Sequence, residues 1–285
     1  MVRVAHVTTV DVTLRYQLMD ELRLLQRHGF DVVLVSASGT EVGFLEAEGF
    51  RHLAVPFTRR VTPLTDLRAL WALWRLFRRE RFDLVHTHTP KAAFIGQIAA
   101  HLARVPRVVN TVHGFYFHDQ MPRFRRALVI GLEKLAARYA DRVLIESRED
   151  YESAVRLSIA RRERLRLIGS GVDAARFDRA RLDAAAQSRL RAELGIASDS
   201  IVVGFIGRLV REKGVEDLLD AVRLVRTSNA NVTFLIVGAT DADKPDAVWP
   251  NAARSRGLES GVVFTGLRHD LPELYGLMDL FVLPS

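Results

Sequence analysis

The chain contains no cysteine, so disulfides, thiolate nucleophiles and cysteine-ligated zinc or iron–sulfur sites are excluded. It also has no apolar run long enough for a membrane-spanning helix and no signal-peptide pattern at its start. Of its 41 basic residues only four are lysines, and the formal net charge is +7. We therefore expect a cytoplasmic protein whose basic surface attracts anionic lipid or nucleotide phosphates. No RNA-binding motif or DNA-recognition helix is evident, so nucleic acid is not an expected partner.

Short apolar runs rich in β-branched residues alternate with longer helical segments, a pattern typical of α/β layers around parallel sheets. A chain of 285 residues has room for two domains. The turn at 169–173 separates two such series, so we predict domains at 1–168 and 169–285. The pattern also predicts one helix over residues 15–28 and a helical connection over residues 174–195. Ligands of doubly wound domains bind at the carboxyl ends of the strands.

The segment 206–214 reads I-G-R-L-V-R-E-K-G and is the most informative in the chain. An apolar strand runs into Gly207, Arg208 and Lys213 stand five residues apart, and a helix opens at Gly214. Glycine allows close backbone approach, the two basic side chains supply cations, and a helix N-terminus adds positive potential, which together suit a diphosphate. The alternative is a strand–loop–helix with solvated basic residues. The spacing fits neither a P-loop nor G-x-G-x-x-G.

Histidines follow two of the predicted strands. His86 and His88 end the strand at 83–87, and His113 lies just past the strand at 107–111. An H-x-H pair can in principle bind a metal, but no carboxylate pattern accompanies it, so we expect no metal site. An acceptor-side or structural role remains for the pair, and a structural role is the alternative for His113.

Two predicted helices combine apolar and basic residues in the way that favours anionic membrane surfaces. Residues 67–81 carry Trp71, Trp74 and Phe77 among several arginines, and here we expect the aromatic stripe to face the core. Residues 122–142 carry six basic residues. For this helix both a membrane-facing and a solvated, core-packed interpretation stay open.

Taken in order, these segments resemble family-4 (group 1) glycosyltransferases of the GT-B fold. Within that family the sequence is most similar to bacterial enzymes that act on polyprenyl-diphosphate-linked sugars. The resemblance covers nearly the whole chain. Each segment is a weak signal alone, whereas their order and spacing together are specific. The matching segments are D-L-V-H-T-H-T-P at 83–90, N-T-V-H-G at 110–114, G-S-G-V-D at 169–173, G-R-L-x3-K-G at 207–214, and the run from V-V-F-T-G-L-R to D-L-F-V-L-P-S at 262–285.

The resemblance implies two Rossmann-like doubly wound domains, an acceptor-side domain at 1–168 and a nucleotide-sugar-binding domain at 169–285, the second incomplete. It places Gly207, Arg208 and Lys213 at the donor diphosphate. Cleavage of the sugar–phosphate bond builds negative charge on the departing nucleotide, and two cations stabilise it without a metal or other cofactor.

The resemblance also assigns the remaining candidate site residues. His113 is the expected catalytic residue, contacting the donor sugar or positioning the acceptor hydroxyl. The family's Gly-Gly in the first strand–helix loop is replaced here by V-D-V-T. The nucleobase is expected against Gly266, Leu267 and Arg268, largely through their backbone, and the acceptor-side candidates are Asp11, His86 and His88.

The function that the resemblance implies is transfer of a hexose or N-acetylhexosamine from a nucleotide sugar, UDP-linked, to a lipid-linked saccharide. The anomeric configuration is retained, and the enzyme is peripheral at the inner face of the plasma membrane, in bacterial surface polysaccharide synthesis. The alternatives are a UDP-sugar 2-epimerase of the same fold and an inactive truncated remnant that binds only nucleotide or membrane. In the family an E-x7-E segment follows L-P-S, where this sequence stops at Ser285. We therefore expect the chain alone to be catalytically poor or inactive.

Overall fold

The computed structural model describes residues 1–118, 120–241, 244, 246–258 and 260–285. It divides into two compact units, Met1–Gly171 and Val172–Ser285. Each unit contains one sheet whose strand pairs are all parallel, with helices between successive strands. Parallel strands need crossover connections, and helices supply them here. The predicted α/β class with parallel sheets is confirmed.

The first unit is built on a seven-stranded sheet in the order β3-β2-β1-β4-β5-β6-β7. The inner strands are buried on both faces, as their continuous apolar composition predicts. Chain order reverses between β1 and β4, which are hydrogen-bonded neighbours. The strands are β1 Arg3–Val10, β2 Asp31–Ala37, β3 Arg51–Ala54, β4 Leu84–Thr87, β5 Arg107–Val112, β6 Arg142–Ile145 and β7 Leu165–Leu167.

Helices pack on both faces of this sheet and enclose separate apolar clusters. On one face Leu73 and Phe77 pack with Val85 and other strand residues, and on the other Leu14 and Leu22 pack with strand β2. A short 3-10 helix at Arg162–Arg164 precedes the last strand. The helices are α1 Asp11–Tyr16, α2 Met19–Arg27, α3 Val42–Ala47, α4 Pro63–Glu80, α5 Pro90–Ala103, α6 Arg123–Ala137 and α7 Arg148–Arg156.

The second unit has a four-stranded sheet in the order β10-β9-β8-β11, so chain order reverses between β8 and β11. Its core joins strands β8 and β9 to α9 through residues such as Phe205, Leu219 and Ile236. The elements are α8 Ala184–Glu193, β8 Ile201–Ile206, α9 Val215–Ser228, β9 Val232–Val237, α10 Asn251–Arg254, β10 Val262–Gly266, α11 Leu271–Leu277 and β11 Leu280–Phe281, with 3-10 turns at Arg179–Arg181 and Arg211–Lys213.

Two helix predictions differ from the structure. The single helix predicted over 15–28 is two helices, because α1 begins at Asp11 and ends at Tyr16 before α2 starts at Met19. The stretch 174–195 is helical mainly in α8, because the Asp183 carboxylate accepts hydrogen bonds from the backbone of Ala185 and Ala186 and so fixes an N-terminus there.

The expectation that the aromatic stripe of α4 faces the core is wrong for most of its members. Leu67 and Trp71 are 62% and 56% exposed, and the Arg75 guanidinium lies 4.6 Å from the Trp71 ring centroid. Only Phe77 of that stripe is fully buried. A neighbouring row of the helix faces inward instead, and its apolar members pack in the core cluster with Val85. The buried row is Ala69, Leu73, Leu76, Phe77 and Glu80.

Candidate functional site

Ligands of open parallel sheets bind beyond the carboxyl ends of the strands, where chain order reverses. Each unit has one such point, between β1 and β4 in the first and between β8 and β11 in the second. The predicted site residues fall largely at these two places.

In the second unit three strand ends meet through glycine backbone. Gly207 N–H donates to the Val237 carbonyl oxygen at 2.9 Å, and Gly238 N–H donates to the Gly266 carbonyl oxygen at 2.9 Å. Gly238 has a φ of +145°, and a Cβ there would lie 1.9 Å from the Gly207 carbonyl oxygen. Only glycine allows this approach, so Gly238 keeps the loops after β8 and β9 in contact.

The two predicted phosphate-binding residues, Arg208 and Lys213, differ in their ion pairing. The Arg208 guanidinium binds the Glu212 carboxylate at 2.6 Å and the Asp241 carboxylate at 3.2 Å. The Lys213 ammonium makes no ion pair within the described residues. Lys213 can therefore meet an anion without competition, whereas an anion at Arg208 competes with two carboxylates for the guanidinium.

Helix α9 begins beside this loop. Gly214 adopts a left-handed φ of +68°, and a Cβ on it would lie 2.8 Å from the Pro284 carbonyl oxygen, so the chain after β11 passes close to the helix start. Glu216 and Asp217 occupy the first turn, and Glu216 pairs with Arg211 at 2.9 Å. These acids offset the positive potential that the sequence predicts for the helix N-terminus.

The predicted nucleobase segment follows β10. Arg268 binds both oxygens of Asp270, at 2.9 and 2.6 Å, and Glu193 at 2.8 Å, and these carboxylates raise the pKa of its guanidinium. Because the Arg268 guanidinium is already paired with carboxylates, a base can contact this segment only through two kinds of group. These are the backbone of Gly266, Leu267 and Arg268 and the half-exposed Leu267 side chain.

In the first unit the parallel register brings histidines of two strands together. His6 on β1 is paired in register with His86 on β4, and His88 lies two residues further along, on the same side. The His6 and His86 ring centroids are 4.9 Å apart and those of His86 and His88 4.1 Å. All three are buried.

A hydrogen-bonded chain of imidazoles leads from this cluster to a carboxylate. His6 Nδ1 lies 3.0 Å from His88 Nε2, His88 Nδ1 lies 3.2 Å from His113 Nε2, and His113 Nδ1 lies 2.8 Å from Glu146 Oε1. Because a carboxylate accepts, His113 donates from Nδ1 to Glu146, and its Nε2 accepts from His88. Both nitrogens of His113 are thus engaged within the protein.

Burial controls the protonation of the cluster. It lowers the pKa of His6 to about 3 and holds the pKa values of His86 and His88 well below their ordinary range, with mutual repulsion adding to the effect for His86 and His88. The three imidazoles are neutral at physiological pH. His86 Nε2 also lies 2.7 Å from the Thr111 hydroxyl oxygen.

A small cavity of about 90 Å³ opens beside His88 and His113 and is also lined by Gly114 and Glu133. Burial raises the pKa of the Glu133 carboxyl to about 7. A carboxyl with such a pKa, placed in a cleft, marks a candidate site for proton donation or acceptance near neutral pH.

Asp11 is placed elsewhere, at the start of α1. Its carboxylate accepts hydrogen bonds from the backbone of Val12 at 3.0 Å and Glu41 at 2.8 Å, and a Cβ on Gly39 would lie 2.4 Å from Asp11 Oδ1. These contacts tie the loop after β2 to the helix start, so the buried Asp11 is occupied in holding structure.

Sequence reasoning did not find His6, Glu133 or Glu146. His6 stands in the middle of a strand, and only the register of β1 against β4 reveals its neighbours. Glu133 and Glu146 carry no motif, although Glu133 stands out as an acid in a basic helix. The expectation of no metal site depended on the spacing of His86 and His88 alone, and the structure adds His6 beside them.

Comparison with known proteins bears on both units. Residues 14–171 match a family described as glycosyl transferase 4-like domain, and residues 200–285 match glycosyl transferases group 1. The chain is 29% identical to the UDP-Gal:alpha-D-GlcNAc-diphosphoundecaprenol alpha-1,3-galactosyltransferase of Escherichia coli, over all of this chain and 73% of that protein. It is 24% identical to the capsular polysaccharide biosynthesis glycosyltransferase CapM of Staphylococcus aureus, over 99% of this chain and 73% of that one.

The solved structures of similar fold include a protein bound to UDP-glucose and a named glycosyltransferase. Anabaena Alr3699/HepE in complex with UDP-glucose matches with a TM-score of 0.79 at 23% identity, over all of this chain and 74% of that one. WaaG, a glycosyltransferase involved in lipopolysaccharide biosynthesis, matches with a TM-score of 0.73 at 14% identity, over all of this chain and 75% of that one. At these sequence identities the structural similarity shows the GT-B fold alone. With its family matches covering most of both units, the chain belongs to the group 1 glycosyltransferases, with a glycosyl transferase 4-like domain in its first half.

Proposed function

We propose that the protein transfers a hexose or N-acetylhexosamine from a UDP-sugar to a lipid-linked saccharide, with retention of anomeric configuration, in bacterial surface polysaccharide synthesis. The observation that carries the proposal is the meeting of three glycine strand ends beside Arg208 and Lys213. The Escherichia coli relative, named for a UDP-galactose donor and a diphosphoundecaprenol-linked acceptor, supports the substrate class.

The donor diphosphate lies, in this proposal, against Gly207 with Lys213 and Arg208 on its oxygens. Lys213 makes the first contact, because it has no carboxylate to leave. Arg208 then exchanges Glu212 or Asp241 for phosphate, and that exchange is favourable when the diphosphate gains charge as the sugar departs. Arg208 thus stabilises the transition state more than the bound donor.

Retention follows, in this proposal, from attack on the face that the leaving phosphate vacates. The acceptor hydroxyl then passes its proton to a departing phosphate oxygen, so no protein nucleophile is required. His113 is held in one orientation by His88 and Glu146, and in this proposal its ring contacts the donor sugar. Glu133, which lines the same small cavity as His113, hydrogen-bonds the acceptor hydroxyl in this proposal. His88 holds His113 from behind, His86 packs against His88, and Asp11 acts separately by holding the loop after β2.

Transfer is tested with UDP-galactose, UDP-glucose and UDP-N-acetylglucosamine and a synthetic GlcNAc-diphosphate lipid. Whatever the amount of product formed, we expect it to be α-linked like these α-configured donors, as identified by the anomeric coupling in its NMR spectrum. A β-linked product would refute retention. Nucleotide release that is independent of acceptor, with an epimerised sugar, would favour the 2-epimerase alternative.

The diphosphate contacts predict a specific loss of nucleotide affinity. Arg208→Ala and Lys213→Ala are each expected to weaken UDP binding about 10- to 100-fold, the effect of one charged hydrogen bond. Arg211→Ala, on the same turn but paired with Glu216, is the matched control and should bind UDP normally. Calorimetric titration with UDP measures all three. Equal affinities for the three variants would rule out this placement of the diphosphate.

The raised pKa of Glu133 predicts a pH-dependent stability. The native state keeps a proton on this carboxyl up to about pH 7, whereas the unfolded chain releases it near its ordinary pKa of 4.5. Stability contributed at Glu133 therefore falls as pH rises through that window. Glu133→Gln removes the effect, so its Tm relative to the native protein should rise between about pH 5 and about pH 8. The exposed Glu152→Gln is the control. A Tm difference that does not change with pH would contradict the shift.

A lipid-linked acceptor requires approach to a membrane, and α6 supplies a suitable surface. Phe124 is 84% exposed and Leu128 54%, on a stripe continued by Leu132 and Leu135. Within the described residues no helix is both long and apolar enough to cross a bilayer. We infer that α6 lies in the headgroup region of an anionic inner leaflet. The flanking basic residues are Arg123, Arg125, Lys134 and Arg138.

Co-sedimentation with vesicles tests this surface. We expect binding to phosphatidylglycerol vesicles and little binding to phosphatidylcholine, with a loss of about 10-fold or more for Phe124→Glu combined with Leu128→Glu. Leu102→Glu, an equally exposed leucine on α5, should bind as the native protein does. Unchanged binding by the α6 variant would refute the assignment.

A further inference from the structure

The histidine cluster has the placement of a metal site. The parallel register sets His6 beside His86, and the two-residue period of a strand returns His88 to the same side. One ring nitrogen from each residue can be chosen so that all three lie within 4.8 Å of one another. The group is buried between the sheet and the helices that cover it, where water competes little for an ion.

The protonation state of the cluster suits metal binding. Metals bind the unprotonated nitrogen of a neutral imidazole, and burial keeps these three neutral. His6 Nδ1 and His88 Nε2 are 3.0 Å apart, close to the separation of about 3.3 Å between two nitrogens bound tetrahedrally to zinc at its usual bond lengths. The pair shares a proton in the absence of an ion.

The outer contacts match those that orient metal-bound histidines. His88 donates from its other nitrogen to His113, which in turn donates to Glu146. His86 Nε2 lies 2.7 Å from the Thr111 hydroxyl oxygen, which can hold the proton-bearing side of that ring. Such outer partners fix the tautomer and direct the remaining nitrogen toward the ion.

We propose that His6, His86 and His88 bind one Zn²⁺ ion, through His6 Nδ1, His86 Nδ1 and His88 Nε2. Glu21, whose Oε1 lies 3.5 Å from His86 Nδ1, supplies the fourth ligand. The His6 proton moves from Nδ1 to Nε2 and the His86 proton from Nδ1 to Nε2 as the ion enters, so no net proton is released by the histidines. The ion joins β1 to β4 and, through His88, fixes the orientation of His113. Its role is to hold the site, not to activate the donor.

Metal binding is measured on the full chain, free of any histidine tag and stripped with a chelator. Titration with ZnCl₂ should give one equivalent bound, together with a rise in Tm at excess zinc. His6→Asn and His88→Asn should lose affinity by more than 100-fold, and His113→Asn, an outer partner, by about 10- to 100-fold. The exposed His28→Asn is the matched control and should bind zinc as the native protein does.

If the variants of the buried histidines fail to fold, Co²⁺ binding by the native protein still tests the proposal. The native protein loaded with Co²⁺ should show the intense visible bands of a four-coordinate site with nitrogen ligands. The proposal is overturned if the native protein binds no stoichiometric zinc, if Co²⁺ gives only the weak spectrum of the hydrated ion, or if folded His6→Asn binds zinc as tightly as His28→Asn. These readouts do not depend on sugar transfer.

Discussion

The pairing of β1 with β4 is the constraint on which the first unit depends. These strands are far apart in sequence and adjacent in the sheet, because chain order reverses between them. Their register sets His6 beside His86, and the chain leaving β4 then carries His88 toward His113. A slip of one residue would turn His6 to the opposite face of the sheet and dismantle the cluster. Helices on both faces hold the register by burying the strands on each side.

The second unit repeats the same topology with different chemistry at the reversal point. Glycines stand at its strand ends, where the first unit has histidines, and Gly238 lies against the Gly207 carbonyl where no larger residue fits. Charge is arranged around this backbone in two ways. Lys213 forms no ion pair within the described residues, while Arg208 is paired with Glu212 and Asp241. In the proposed binding mode a donor diphosphate competes with these carboxylates, which favours the state with the most negative charge.

Much of the fold was predictable, because alternation of apolar strands and helical segments reflects burial on both sheet faces. The placement of Gly207, Arg208 and Lys213 in one strand–loop–helix connection was also predictable, since they lie within nine consecutive positions. Their binding of a diphosphate stays a prediction. The helix at 15–28 was predicted wrongly because the contacts of Asp11 with the loop after β2 set where α1 starts, and these are not local. The outward Trp71 was missed because apolar periodicity identifies a stripe without saying which of two adjacent stripes packs inward.

The sequence by itself determined the α/β class, the family and the joint placement of Arg208 and Lys213 in one loop after a strand, because each depends on local composition or short spacing. Only the tertiary structure decided that His6 joins the two histidines of H-T-H, that Glu146 anchors His113, and that Arg268 is occupied by carboxylates. These contacts join residues that lie up to 82 positions apart. Strand register determines which side chains become neighbours, and burial determines their protonation. Both are set only when the chain has folded.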